Sequence, residues 1–405
     1  MSKRALFASC FIDMMKSYLQ YLCVAAFLAT ASTAYPVRRW TYAGSEASTN
    51  YDFGKAFGLE FKREIKQRLA KDDHLKKMIQ KFGGDSADPT YSLFLRNHVE
   101  KYAKYVSELQ GIADGAELPF ETLFIDQLSE EFTYFMEDKK FVDHCSDVVY
   151  YKNEKEMYMA HNEDSAQMDV NGTVFVEAIN GVAGGPGFTT FVYMGNTPTG
   201  AFGFNTEGIV MTLNYLGPKQ PDRNGYGRVF IARAILDASS FDEAVDVASN
   251  TPMISGHNYQ LGLINSNRLV NIEVAPFGIS SLRTFHPGDP AAFHANMYLR
   301  LNVSQRTDPS SIHRLARYNA IVANNPVTDL ADMRAIIGDQ QDAKEPIYHD
   351  ERSHANGDQS GGYTLISATV DLMEGVMYLY AQNPKYNKPA FNVTICMKGN
   401  AGCVV

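Results

Sequence analysis

The spacing of apolar positions changes character part-way along the chain. Between about 51 and 136, Phe53, Phe57, Leu59, Phe61, Ile65 and Leu69 recur at helical intervals with Lys and Glu between them, as amphipathic helices require. Asp88-Pro89 and the stretch 115–119, from Gly115 to Pro119, divide this part into several helices. From Cys145 onward the pattern is that of strands. Val148-Val149-Tyr150-Tyr151 and Met157-Tyr158-Met159-Ala160-His161 flank a polar stretch, 152–156, that reads as a hairpin loop. Val174-Phe175-Val176 and 188–194 continue the series, and 203–215 is a strand pair turning at Thr206-Glu207-Gly208. One helix is expected over 228–248, then strands over 259–264 and 269–274 joined by Asn265-Ser266-Asn267. Helices over 311–322 and 329–337 and a last hairpin from 363–368 and 375–380 complete the pattern. Many antiparallel strands with helices gathered in blocks give an α+β layered fold. The glycine-rich stretch 181–187 leads into neither a helix start nor a P-loop lysine, so it reads as a turn between strands, not a phosphate cradle.

Composition narrows the function classes. The chain has 405 residues, of which 45% are hydrophobic and 20% charged, and a formal charge of -9. That is an ordinary globular balance, with enough length to bury a core as one large domain or two. An acidic chain with no run of lysines or arginines lacks the basic face that nucleic acid requires. The first 34 residues differ from the rest. Lys3, Arg4 and Lys16 precede the apolar stretch 18–28 and the small-residue run Ala29-Thr30-Ala31-Ser32-Thr33-Ala34. This reads as a secretory signal cleaved after Ala34, with Met14 or Met15 as alternative starts. An uncleaved signal anchor is the rival reading of the same segment. No later segment reads as membrane-spanning. With the signal removed, 35–144 is a helical pro-segment and 145–405 the strand-rich part.

Removing the signal takes Cys10 and Cys23 and leaves Cys145, Cys396 and Cys403. In an oxidising compartment Cys396 and Cys403 can close a small loop, which leaves Cys145 either a buried bystander or a reactive thiol. The sequons at Asn171, Asn302 and Asn392 fit the secretory reading as glycosylation sites.

Cys145 lies in Asp143-His144-Cys145-Ser146-Asp147, where the helical pattern ends, and Ala160-His161-Asn162-Glu163-Asp164 follows at the end of the next strand. A hairpin brings Asp164 back near Cys145. Further along come "GFNTEGIVMTLNYL" (203–216), "NIEVAP" (271–276), "FHANMYLRL" (293–301) and Ser311-Ile312-His313-Arg314. In this order the segments resemble the isopenicillin N acyltransferase family of N-terminal-nucleophile (Ntn) hydrolases, and within it the animal β-alanyl-dopamine/carcinine hydrolases. The resemblance runs from about 51 to the end of the chain. It implies a four-layer αββα sandwich made as a precursor. The precursor would cut itself between His144 and Cys145 and keep its two fragments, 35–144 and 145–405, associated. The implied catalytic residues are Cys145, Asp164, Asn214, Asn296 and Arg314.

Chemistry makes sense of those residue types. The thiolate is the nucleophile, and a free cysteine titrates at about 8.5. Cleavage before Cys145 would expose an α-amine titrating at about 7.7–8.0, a base carried by the nucleophile's own residue. Asp164 would hold amine and thiol in register. Asn214 and Asn296 would donate to the tetrahedral oxyanion. Arg314 would orient them or bind substrate. His161 reads as structural, and His144, Cys145 and His161 lack the paired spacings of a zinc site. His144 departs from the glycine that many relatives place before the nucleophile, where a strained backbone favours cleavage.

The expected function is hydrolysis of small N-acyl amines, of the β-alanyl-dopamine or carcinine type, in a secreted or lumenal setting that includes the lysosome. No cofactor, metal, nucleic acid or stable membrane contact is implied. The alternatives are acyl transfer to an amine, hydrolysis of lipid amides, and a non-catalytic secreted homologue.

Overall fold

The computed structural model describes residues 37–45, 47–84, 86–139, 145–306 and 308–397. The expected signal 1–34, His144 and Cys403 lie outside them. The helical pattern resolves into α1 (Asn50–Glu60), α2 (Lys62–Lys71), α3 (Asp73–Phe82), α4 (Thr90–Ala116), α5 (Phe120–Gln127) and α6 (Ser129–Thr133). Local chemistry sets several of the ends. Thr49 and Asp52 form a capping box on α1, and Asp72 caps α3 by accepting from Leu75 N. Pro89 precedes α4, and Glu117 closes it in the left-handed region at φ 52°. Leu59 does not join the core: it is 59% exposed on the outer side of α1.

Two sheets form the centre. One has eight strands in the order β1-β4-β5-β6-β7-β8-β9-β10, the other six in the order β11-β2-β3-β12-β13-β14. Their inner strands are β2 (Ser146–Asn153), β3 (Glu156–Ser165), β4 (Thr173–Ala178), β5 (Phe188–Tyr193), β6 (Phe202–Asn205), β7 (Ile209–Leu216), β8 (Gly256–Leu263), β9 (Leu269–Ala275), β12 (Tyr363–Asp371) and β13 (Val376–Tyr380). Every described pairing is antiparallel except β1 with β4. The glycine-rich stretch 181–187 connects β4 to β5, as a turn should.

Alternation along the strands sorts the core into three slabs. Val176, Met211, Leu213, Tyr259 and Ile272 face the helices on the outer side of the eight-stranded sheet. Val149, Met159, Phe175, Phe204, Val210 and Ile366 fill the space between the sheets. Val148, Ala160 and Phe293 face α9 (Pro309–Asn324) and α10 (Leu330–Ile337) beyond the six-stranded sheet. Helix, sheet, sheet, helix is the expected four-layer αββα order. With both faces covered, central strands such as β7 are buried at every position. The helical part and the sheets share one core: Phe53, Phe57 and Ile112 belong to the same cluster as Val174 and Leu213.

The structure corrects three local expectations. The polar stretch 152–156 is not a five-residue loop; β2 and β3 run on until only Glu154 and Lys155 turn the chain. The helix expected over 228–248 is two, α7 (Arg228–Leu236) and α8 (Phe241–Asn250), because Ser240 accepts from Glu243 N and starts a new helix. Four further strands have no clear mark in the sequence: β1 (Arg39–Tyr42), β10 (Ile279–Thr284), β11 (Ala292–His294) and β14 (Phe391–Thr394). All four are sheet edges. They are short and only partly covered, so they carry little of the apolar alternation that marks a strand.

Helices α1 and α4 approach closely because glycines line their contact. A Cβ added at Gly54 would stand 1.9 Å from Glu108 O, and one at Gly111 would stand 2.2 Å from Tyr51 O. Since both obstacles are backbone, no side-chain movement relieves the clash. Gly111→Val is therefore expected to cost about 1–3 kcal/mol or more, read as a lowered thermal midpoint. An unchanged midpoint would mean that the two helices are free to move apart.

Candidate active site

Cys145 precedes β2 directly, is 3% exposed and is not in a disulfide. Its Sγ lies 3.7 Å from Glu163 Oε2 and 3.9 Å from the carbonyl oxygen of Asp164. The hairpin thus returns the motif Ala160–Asp164 to the cysteine, as the sequence implied. Alternation gives the motif's side chains separate jobs. His161 and Glu163 lie on the inter-sheet side with Met157 and Met159. Asn162 faces the other way and donates to Ile337 O and Ile347 O at 2.7 and 3.0 Å, which ties β3 to the end of α10.

His161 bridges two carboxylates. Its Nδ1 is 2.8 Å from Asp147 Oδ1, its direct cross-strand neighbour, and its Nε2 is 3.0 Å from Glu163 Oε2. Burial opposes a charge on the ring, but the two carboxylates outweigh it and push the histidine up to about 10. Tyr193 donates its hydroxyl to Glu163 Oε1. Burial first, and Glu163 next, raise that phenol well above its ordinary value, so it remains a donor. A buried chain therefore runs Asp147–His161–Glu163, ends on Sγ, and is braced by Tyr193. Of these residues the sequence singles out only His161, as structural. The signal for Glu163 was available: it shares His161's face two residues on. Cys145, His161 and Glu163 also place ligand-type atoms within 4.8 Å of one another. An imidazolium with both nitrogens engaged has no lone pair to offer a metal.

Arg314, on the buried side of α9, closes the other flank. Its Nη1 donates to Cys145 O at 2.7 Å and Ser146 Oγ at 2.8 Å, and its Nη2 to Asn296 Oδ1 at 2.8 Å. Asn296 donates one amide hydrogen to Tyr215 O at 3.1 Å. The 293–301 segment that carries Asn296 hangs from Glu273. That carboxylate accepts from Leu299, Arg300 and Leu301 backbone N–H at 2.8, 3.0 and 2.9 Å and lies 3.0 Å from His294 Nε2. Burial would raise Glu273, but His294 and these N–H groups hold it down at about 2.

Asn214 is fully buried on the inter-sheet side of β7, and its Nδ2 has no partner among the described residues. Asp164 takes no well-formed hydrogen bond on its carboxylate oxygens from the described residues. Burial raises it to about 6, against the opposing influence of His349, the Thr364 hydroxyl and Arg314. A cavity of about 370 Å³ adjoins the site at Tyr193. Ser165 and Asp169 line its sheet side, and His74, Asp126 and Glu130 its helix side.

Residues 151–386 match the model of the acyl-coenzyme A:6-aminopenicillanic acid acyl-transferase family. The chain belongs to that family. The matched stretch begins six residues past Cys145 and holds Glu163, Asp164, Asn214, Asn296 and Arg314. Beta-alanyl-dopamine/carcinine hydrolase of Drosophila melanogaster is 24% identical over 373 residues, covering 86% of this chain and 95% of the fly protein. Among solved structures, the Caenorhabditis elegans N-acylethanolamine-hydrolyzing acid amidase ortholog is 12% identical with a TM-score of 0.38, covering 61% of this chain and 95% of its own. Penicillin V acylase from Agrobacterium tumefaciens is 18% identical with a TM-score of 0.34, covering 58% and 82%.

Away from the site, Cys396 of this acyl-transferase family member is disulfide-bonded, while its expected partner Cys403 lies outside the described residues. Asn171, Asn302 and Asn392 are all exposed.

The His161 chain has a pH signature. A histidine whose folded value stands above its unfolded 6.5 contributes stability in full below pH 6.5 and loses it as pH climbs through about 10. His161→Gln is expected to cost about 3–5 kcal/mol at pH 6, because it leaves buried carboxylates unpaired, and progressively less toward pH 10. Denaturant unfolding of both proteins across that range measures the gap; a gap independent of pH would mean a neutral His161.

Proposed function

We propose that this protein is a cysteine amidohydrolase that cuts its own chain between His144 and Cys145 and then hydrolyses small N-acyl amines. One observation carries the reading: the buried Cys145 thiol, not in a disulfide, lies 3.7 Å from a carboxylate, with Arg314 anchored on the same residue's carbonyl. Family membership supports the reaction type. The fly hydrolase's name supports β-alanyl amides of dopamine or histamine as substrates.

In maturation the thiol would attack the carbonyl carbon of residue 144. The C–N bond breaks, the acyl group passes to sulfur, and water hydrolyses the thioester to leave a free α-amine. In turnover that amine takes the thiol proton, and the thiolate adds to the substrate carbonyl. The tetrahedral oxyanion is met by amide donors, among them Asn214 Nδ2, which has no partner among the described residues. Collapse expels the amine with its proton, and water clears the thioester. The shared core would hold the fragments 35–144 and 145–405 together after the cut. A second reading, transfer of the acyl group to an amine, is favoured by the family's own description. A disulfide at Cys396 and three exposed sequons support an oxidising, secretory setting, lysosome included.

Protein secreted from cells should yield two chains, the larger beginning at Cys145, while Cys145→Ala stays full length; intact mass and N-terminal sequencing decide. The cut protein should release amine from β-alanyl-histamine or β-alanyl-dopamine, and Asn214→Ala should lower kcat by about 10²–10³-fold with KM little changed. An uncut wild-type chain would sink the maturation step. Faster release of acylated amine than of acid, with an added amine present, would shift the assignment to transfer.

A further inference from the structure

Asn214 Nδ2 is buried and has no partner among the described residues, although a buried amide normally finds partners for both of its ends. The reason lies across three strands. Asn258 Nδ2 donates to Asn214 Oδ1 at 2.8 Å. Asn271 Nδ2 donates to Asn258 Oδ1 at 2.5 Å. Arg300 Nη1 donates to Asn271 Oδ1. The three asparagines lie on β7, β8 and β9, all on the inter-sheet face, and all are at most 3% exposed.

A carboxamide can turn end for end, so a chain of amides alone has no preferred direction. A guanidinium removes the choice, because it donates only and never accepts. The atom facing Arg300 must then be the oxygen of Asn271, which aims the nitrogen of Asn271 at Asn258. Asn258 must meet that nitrogen with its oxygen and offer its own nitrogen to Asn214. Asn214 must answer with oxygen, and its N–H groups are left pointing away from the chain as donors. Arg300 itself is fixed: Nε and Nη2 donate to Ser281 Oγ and Ser281 O at 3.1 and 2.8 Å, and its backbone N–H to Glu273. The Asn214 donor faces the space between the sheets, where β7 comes up against β2 behind Cys145. Tyr215, the next residue, is tied through Asn296 and Arg314 to the Cys145 carbonyl.

We propose that Arg300, Asn271 and Asn258 are positioning residues, a one-way amide relay that presents Asn214 Nδ2 to the oxyanion formed at Cys145. This rests on the reading of Cys145 as nucleophile and Asn214 as oxyanion donor. Asn258→Asp reverses the last step, since a carboxylate only accepts and recruits the Asn214 nitrogen to itself. Arg300→Met removes the directing group, whereas Arg300→Lys keeps a cation that donates only.

The experiment uses two small reagents on the processed protein. p-Nitrophenyl acetate acylates Cys145 through a tetrahedral oxyanion. Methyl methanethiosulfonate converts the same thiol to a mixed disulfide with no carbonyl and no oxyanion. Asn258→Asp and Arg300→Met are expected to slow acylation by at least about tenfold, toward the 10²–10³-fold of a lost oxyanion donor, while disulfide formation keeps its rate. Arg300→Lys should recover most of the loss. Equal slowing with both reagents, or unchanged acylation in Asn258→Asp protein that still melts cooperatively, overturns the relay. A wild-type Cys145 inert to both reagents sinks the nucleophile assignment and the relay with it. A reactive Cys145 with an unaltered ratio sinks the relay alone.

Discussion

A buried guanidinium has five N–H groups to satisfy and a charge to offset, and the arrangement around Arg314 meets both demands. Nε donates to Ser310 Oγ, Nη1 to Cys145 O and Ser146 Oγ, and Nη2 to Asn296 Oδ1 and Ser311 Oγ. Among the described residues these bonds engage all three of its nitrogens. The acceptors come from α9, from the head of β2 and from the segment after β11, three pieces of chain far apart in sequence. Asp308, which caps α9, lies 3.8 Å away and supplies the opposite charge. A cation taken this far out of water is tolerable only with such a set complete. The requirement that buries Arg314 therefore also fixes where Cys145 sits relative to Asn296.

The space between the sheets divides into two ends. At one, Val149, Phe175, Phe204, Val210 and Leu379 make an ordinary apolar slab. At the other, the same alternating positions carry Asp147, His161, Glu163, Asn214, Asn258, Asn271 and Glu273, nearly all of them fully buried. Packing alone would place valine or leucine at each of these positions. Polar groups persist there because each is hydrogen-bonded: Asp147, His161 and Glu163 in a chain that reaches the thiol, Asn271, Asn258 and Asn214 in a second chain, and Glu273 to the 299–301 backbone. The apolar end holds the sheets together and allows the polar end to be rigid.

How much of this the sequence disclosed follows from what each feature depends on. Central strands and long helices were legible because burial on both faces writes continuous or periodic apolar runs; the four edge strands were not, because half of each edge is solvent. Two helices were read as one over 228–248, since Ser240 weighs little in a composition and much as a cap. Cys145, Asp164, Asn214, Asn296 and Arg314 were named from a resemblance, and the fold brings Asn296 and Arg314 into contact. Glu163 and Asp147 were passed over. A plain two-residue hairpin counted from Asn153 and Glu156 would set Asp147 opposite Asn162. An irregularity between Tyr151 and Asn153 shifts the ladder by one, and Asp147 meets His161 instead. A one-residue slip of that kind leaves no trace in hydrophobic pattern, yet it decides which side chain completes the buried chain.

Glu163 and Asp164, adjacent in sequence, are separated in role by the same strand geometry. Glu163 lies 3.0 Å from His161 Nε2, whose Nδ1 is held by Asp147, and it accepts from the Tyr193 hydroxyl. Asp164 has Arg314 and His349 nearby but no well-formed hydrogen bond to its oxygens from the described residues, and burial leaves it titrating at about 6. Its folded value is raised above the unfolded 3.8, so the folded protein gains relative stability as pH falls through 6 and bears the cost of this carboxylate above it. The group that responds to mild acid, Asp164, thus lies on the opposite side of the strand from the chain on the thiol. Asp164 is more readily ionised when something cationic is brought to its oxygens. An α-amine freed at Cys145 would be such a group, and its arrival would pull Asp164 back toward an ordinary carboxylate.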